Sequence, residues 1–162
     1  MDFLDAKPRL PRELYSDPIS HDPVIRVAEL RDAEGLSPLL EALGYPAAAD
    51  LIERRLQRLA ANPNAIVLVA SVGLVVEGVA TAHMFDTIHA EAPAAWITAL
   101  VVSTASRRRG VGSGLVHALE RWAQERGAIR ISVNSGMHRA DAHSFYEGLG
   151  YAPNGKRFSR TL

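Results

Sequence analysis

The chain has 162 residues, one ordinary domain, and at that length roughly 70% of the surface exposed by the unfolded chain can be buried. Apolar residues make up 48% and charged residues 22%, which excludes a disordered chain, and 18 basic residues against 18 acidic ones leave no net field to draw nucleic acid or anionic lipid. With no cysteine, disulfides, thiolate metal sites and cysteine nucleophiles are excluded too.

Acids at Asp2 and Asp5 stand where a secretory leader carries Lys or Arg, and the most apolar run, Ala65 to Val76, falls well short of a bilayer span. A cytoplasmic protein is expected, with no membrane partner. Sixteen arginines against two lysines read as the codon bias of a bacterium. Pro8, Pro11, Pro18 and Pro23 deny the first segment a helix or a central strand, so residues 1–23 read as a proline-rich arm and 24–162 as the domain.

Val24, Ile25 and Val27 predict a short strand ending before Asp32, a good helix N-cap. Leu36, Leu39, Leu40 and Leu43 make one apolar helical stripe closed by Gly44, with Pro38 suggesting a restart capped by Ser37. Pro46 opens a second helix carrying Ile52, Leu56, Leu59 and Ala60, which Asn62 and Pro63 end. Ala65 to Ser71 and Leu74 to Met84 form a hairpin about Gly73. Trp96 to Val102 reads as a central strand buried on both faces. Val111, Leu115, Ala118, Leu119 and Trp122 mark the clearest helix, closed by Gly127. Ile129, Ile131 and Val133 alternate as a half-buried strand, Ala142, Phe145 and Leu149 mark a short helix ending at Gly150, and Tyr151 to Leu162 is expected to be extended. Lys156, Arg157 and Arg160 would guard that edge or recognise an anionic substrate.

The densest chemical signal is the run Arg107, Arg108, Arg109, Gly110, Val111, Gly112, Ser113, Gly114 between a buried strand and a helix. The first amides of a helix lack intrahelical acceptors and carry the positive end of its dipole, so glycines there let a diphosphate approach while arginines screen its charge. A charged loop that merely caps the helix is the plainer alternative. A P-loop is excluded because Leu115 and Val116 follow Gly114 where lysine and Ser or Thr are required, and the dinucleotide fingerprint lacks glycine at 115. The six histidines show no metal spacing, His138 and His143 being five apart, and Ser113 is not in a nucleophile elbow. No metal is expected. Without aromatic platforms beside the arginines, no nucleic acid is expected either.

These residues resemble the GNAT superfamily of acyl-CoA-dependent N-acetyltransferases. One signature, RxxGxG after a strand ending in LxV, is matched by Leu100, Val102, Arg107, Gly110 and Gly112; a second, AxxFYxxxGY, by Ala142, Phe145, Tyr146, Gly150 and Tyr151. The resemblance covers Val24 to Leu162. It implies a mixed α/β (α+β) fold whose central, mostly antiparallel sheet splays between two near-parallel strands flanked by helices. It implies acetyl-CoA as co-substrate, with main-chain groups of Leu100, Val101 and Val102 on the pantetheine arm. Arg107, Arg108, Arg109, Gly110, Val111, Gly112 and Ser113 would lie on the pyrophosphate, and Tyr146 would be the acid that protonates the departing thiolate. The sequence departs from the pattern at Thr104, at Arg139 and at Thr98, where many relatives carry a carboxylate base.

A base or a dry pocket is still needed, since an amine with a pKa near 10.4 is about one part in a thousand neutral at pH 7.4. Glu91 leads the candidates, followed by Asp86, His89, His83 and Glu77, each of which, taken singly, reads first as a solvated loop or surface group and only second as a base; a water chain would also serve. The expected reaction is direct acetyl transfer to a primary amine of a small-molecule acceptor, with no covalent enzyme intermediate. The alternative is a non-catalytic acyl-CoA-binding or sensing domain. A homodimer is the base-rate expectation.

Overall fold

The computed structural model describes residues 22–136, 139–155 and 158–161. Most of the proline-rich segment, with His138, Lys156, Arg157 and Leu162, lies outside them. One sheet runs in the order β1 (Val24–Val27), β2 (Ala65–Val72), β3 (Val75–Phe85), β4 (Ala94–Val102), β5 (Arg130–Val133). The first three pairings are antiparallel and β4 with β5 is parallel, the crossover being α3 (Val111–Gln124). This is the mixed α/β fold with a mostly antiparallel sheet that the sequence implies.

Two helices, α1 (Ala33–Leu43) and α2 (Ala49–Ala60), bury Leu36, Leu39, Ile52 and Leu56 against Val69, Val79 and Val101 on one face. On the other face α3 buries Leu115, Val116, Leu119 and Trp122 against Leu68, Ala80, Ala82 and Ile97. Gly78, Ala80 and Ala82 alternate along β3 toward α3, and their small size makes a trough for the helix. At Gly78 the approach is tightest: a Cβ there would stand 3.1 Å from Leu115 Cδ1 and 3.3 Å from the Val101 carbonyl oxygen. The last helix, α4 (Ala140–Gly148), adds Phe145 and Tyr146 to the α3 side.

Several elements differ from their sequence expectation. The first helix does not restart at Pro38 but runs through it, and the Ser37 hydroxyl, instead of capping, donates to the Ala47 carbonyl at 2.8 Å. Pro38, midway along the helix, has no N–H for the Glu34 carbonyl of the first turn, so one backbone bond is lost. The second helix begins at Ala49 rather than Pro46, after an extended Ala48. Strand β4 begins two residues before Trp96, stands inside the sheet next to its last strand, and exposes Thr98. Among the described residues of 151–161 no strand forms, and Arg160 is exposed.

Asp32 is no simple cap either. It is buried, 4% exposed, and Arg26 of β1 grips it in a fork, Nη1 to Oδ2 at 2.7 Å and Nη2 to Oδ1 at 2.8 Å, while the Glu29 amide donates to Oδ2 at 2.7 Å. The guanidinium holds this carboxyl below the usual carboxylate range although burial pushes the other way. Its stabilisation is therefore complete above the unfolded pKa, about 3.9, and is lost as pH falls through the depressed folded value. Urea unfolding of Asp32→Asn at pH 7 is expected to show a loss of about 3 kcal/mol, shrinking as both proteins are acidified below about pH 4.

Candidate active site

The ladder between β4 and β5 runs from Ala94↔Arg130 to Ile97↔Val133 and stops, though β4 continues to Val102. On its other side the register with β3 slips, Thr81 facing Ala99 and Ala82 facing Ile97, which leaves Thr98 as an inserted residue. Such a bulge bends and twists its strand. The hydroxyls of Thr98 and Thr81 hydrogen-bond at 2.6 Å across it. Beyond the bulge, the edge of Leu100, Val101 and Val102 that would face β5 has no strand partner among the described residues. The sheet is thus open where the sequence places the LxV motif.

From the end of β4 the chain makes a 3-10 turn, Thr104–Ser106, and then the arginine-glycine run into α3. Gly110 is left-handed at φ 80, and Arg108 is left-handed too, at φ 58, a conformation costly for a side chain with Cβ. The Gly114 amide is the first to bond back along the helix, to the Gly110 carbonyl at 2.9 Å. The amides of Val111, Gly112 and Ser113 therefore have no intrahelical acceptor and sit on the positive end of the α3 dipole. The Ser113 hydroxyl turns back along the helix to donate to the Gly110 carbonyl at 2.9 Å. Arg107, Arg108 and Arg109 are all exposed, and among the described residues none joins an ion pair. Free amides with three available guanidinium groups fit a diphosphate.

Beside this turn stands α4. A Cβ built on Gly112 would meet Phe145 Cζ at 3.4 Å and Val102 Cγ2 at 3.6 Å, so the helix start, the end of β4 and α4 converge on one point. Tyr146 packs edge-on against Phe145, centroids 5.1 Å apart, and tilted against Tyr151 at 5.6 Å. Burial pushes its phenol above the ordinary value, and the Arg139 guanidinium offsets part of that. A phenol so placed stays protonated through the neutral range, as a proton donor requires. The Tyr151 hydroxyl donates to Glu120 Oε1 at 2.9 Å, tying the end of the second motif to α3, and burial followed by this carboxylate raises its pKa strongly.

The expected bases are scattered. Glu91, Asp86 and His89 are exposed on the loop before β4, and four residues of strand, about 13 Å, separate Ala94 from Thr98. His83 lies on β3 opposite Trp96, its Nδ1 buried without a hydrogen-bond partner among the described residues. Glu77 is engaged: both Ser103 Oγ and Ser106 Oγ donate to its Oε2, the latter at 2.9 Å. This contact joins residues 26 and 29 apart in the chain, and neither it nor the backbone of Arg108 has a sequence signal. The structure gathers Leu100 to Val102, Gly110 to Ser113 and Tyr146, and leaves Glu91 at the far end of β4. Among the described residues no cluster of three His, Asp or Glu suits a metal, and no helix is long and apolar enough to cross a membrane.

Residues 30–151 match the acetyltransferase (GNAT) family. The chain belongs to that family. The uncharacterized N-acetyltransferase YhdJ of Bacillus subtilis is 39% identical over 51 residues, 32% of this chain and 36% of that protein, so the match spans about a third of this curated relative. A transcriptional regulator from Bacillus halodurans shares the fold with a TM-score of 0.80 at 23% identity, over 86% of this chain and 99% of that one. An aminoglycoside acetyltransferase from an uncultured soil metagenomic sample, in complex with sisomicin, does so with a TM-score of 0.74 at 24% identity, over 90% and 99%. Within this GNAT chain, Gly110 has room for a methyl group, the nearest atom being Ser113 Oγ at 4.0 Å, so only its positive φ opposes one. Urea unfolding of Gly110→Ala is expected to show a loss of about 1 kcal/mol.

Proposed function

We propose that this GNAT protein is an N-acetyltransferase that moves an acetyl group from acetyl-CoA directly to a primary amine of a small-molecule acceptor. One observation carries the reading: an unpaired stretch of β4 leads, through a short turn, into helix amides that have no acceptor of their own. Acetyl-CoA brings an activated acyl group and a thiol leaving group. The amides of Val111, Gly112 and Ser113 bind its diphosphate, with Arg107, Arg108 and Arg109 screening the charge. Main-chain groups of Leu100 to Val102 pair with the amides of the pantetheine arm as an added strand would, and an N–H of this edge, near Val101, receives the developing oxyanion.

Tyr146 gives its proton to the departing sulfur, a role its raised pKa suits because the proton stays on the phenol until it is needed. The amine must shed a proton before or during attack. Hydroxyls of Thr98 and Thr81 occupy the place of a carboxylate base and orient a water rather than remove the proton themselves. Glu91 remains the acid to test as the final acceptor along such a chain. A second reading, an acyl-CoA sensor without turnover, draws on the missing carboxylate at Thr98.

Calorimetry with acetyl-CoA and thiol release over an amine panel of sisomicin, spermidine, lysine and an alanine-terminated peptide separate these readings. Heat with thiol release supports the transferase, heat without release the sensor, and absence of heat overturns both. Tyr146→Phe is expected to lower turnover by roughly tenfold to a thousandfold while acetyl-CoA still binds. Gly112→Leu, whose side chain must displace Phe145 and Val102, is expected to weaken acetyl-CoA by at least about tenfold in the same titration.

A further inference from the structure

The geometry points to Glu77 as a positioning residue that presets the diphosphate cradle, an assignment that rests on the acetyl-CoA binding proposed above. In the register of β2 and β3, Ala70 faces Gly78 and Ser71 faces Val76, so Glu77 is the inserted residue of a bulge and opposes nothing on β2. Freed from the ladder, it serves the loop after β4. Its carbonyl accepts the Ser103 amide at 2.8 Å, and its Oε2 accepts the hydroxyls of Ser103 and, at 2.9 Å, Ser106.

Ser103 immediately precedes, and Ser106 ends, the 3-10 turn that joins the open strand edge to the arginine-glycine run. Ser106 is 5% exposed and stands directly before Arg107. A single carboxylate oxygen therefore fastens both ends of the turn. On charge alone, a carboxylate near an anion cradle is unfavourable. Its two bonds to the turn account for it as a tether instead, with charge-assisted acceptance stronger than a neutral group would give.

A loop that must hold left-handed backbone at Arg108 and Gly110 is ordered in advance by such a tether. Without it, the ordering is left to the moment of binding and weakens every ligand whose diphosphate uses the cradle. Ligands lacking the diphosphate are untouched. This separates positioning from a general loss of fold, which would weaken both kinds alike.

The test compares acetyl-CoA with S-acetylpantetheine, which has the same thioester and pantetheine arm but no diphosphate. Acetyl-CoA is titrated calorimetrically, and S-acetylpantetheine is measured by its competition with acetyl-CoA. For Glu77→Ala, acetyl-CoA affinity is expected to fall about tenfold while S-acetylpantetheine affinity stays within about twofold; Glu77→Gln, which keeps an accepting oxygen, recovers most of the loss. If Glu77→Ala fails to fold, the double variant Ser103→Ala, Ser106→Ala leaves the carboxylate in place and carries the same expectation. Equal losses for the two ligands, or none for either, overturn the assignment. Wild-type protein that gives no heat with acetyl-CoA overturns the proposed function and this assignment together.

Discussion

A strand that loses its neighbour halfway along is the constraint on which the site depends. The ladder between β4 and β5 ends at Ile97 and Val133, and the main-chain groups of β4 beyond that point must find partners elsewhere. Edge groups of this kind are a liability in a sheet unless something pairs with them. Here the inserted Thr98 decides where the parting begins, because the bulge turns the remainder of β4 away from its earlier course. An extended ligand with its own amides is the natural complement of such an edge.

The rest of the fold holds three groups around that opening. Helix α3 starts where β4 has just ended, so its unsatisfied amides arrive beside the strand edge by chain continuity alone. Helix α4 is brought to the same place by Phe145 against Gly112 and by the tyrosine-to-glutamate bond between Tyr151 and α3. Leu100, Val102, Phe145 and Tyr146 all lean on the cluster formed by Leu115, Val116 and Leu119. One hydrophobic core thus sets the relative positions of strand edge, helix start and phenol, and the chemistry inherits the rigidity of that packing.

The elements with strong periodicity were legible, as α3 and the hairpin of β2 and β3 illustrate, and so were the motifs at Arg107 to Gly114 and at Ala142 to Tyr151. These are local signals, written within a few residues. What escaped depends on contacts between distant segments. The continuity of α1 through Pro38 is settled by packing of Leu36 and Leu39, which outweighs one lost bond. The bulges at Thr98 and Glu77 come from the register of neighbouring strands, which no single strand reveals. Glu77 read as a free acid because its partners, Ser103 and Ser106, belong to a loop that only the folded sheet brings near it. The extended end expected after Tyr151 had only a weak alternation to support it, and the described residues there form no strand.

The trough of small residues on β3 has a reach beyond packing. Because Gly78 has no side chain, α3 rests almost on the backbone of the sheet, and Val111 near its first turn touches that same spot. A methyl group introduced there would act as a wedge under the front of the helix, tipping the axis along which its dipole points. The aim of that dipole is therefore geared to a glycine on the sheet beneath it, through the angle of a lever fourteen residues long.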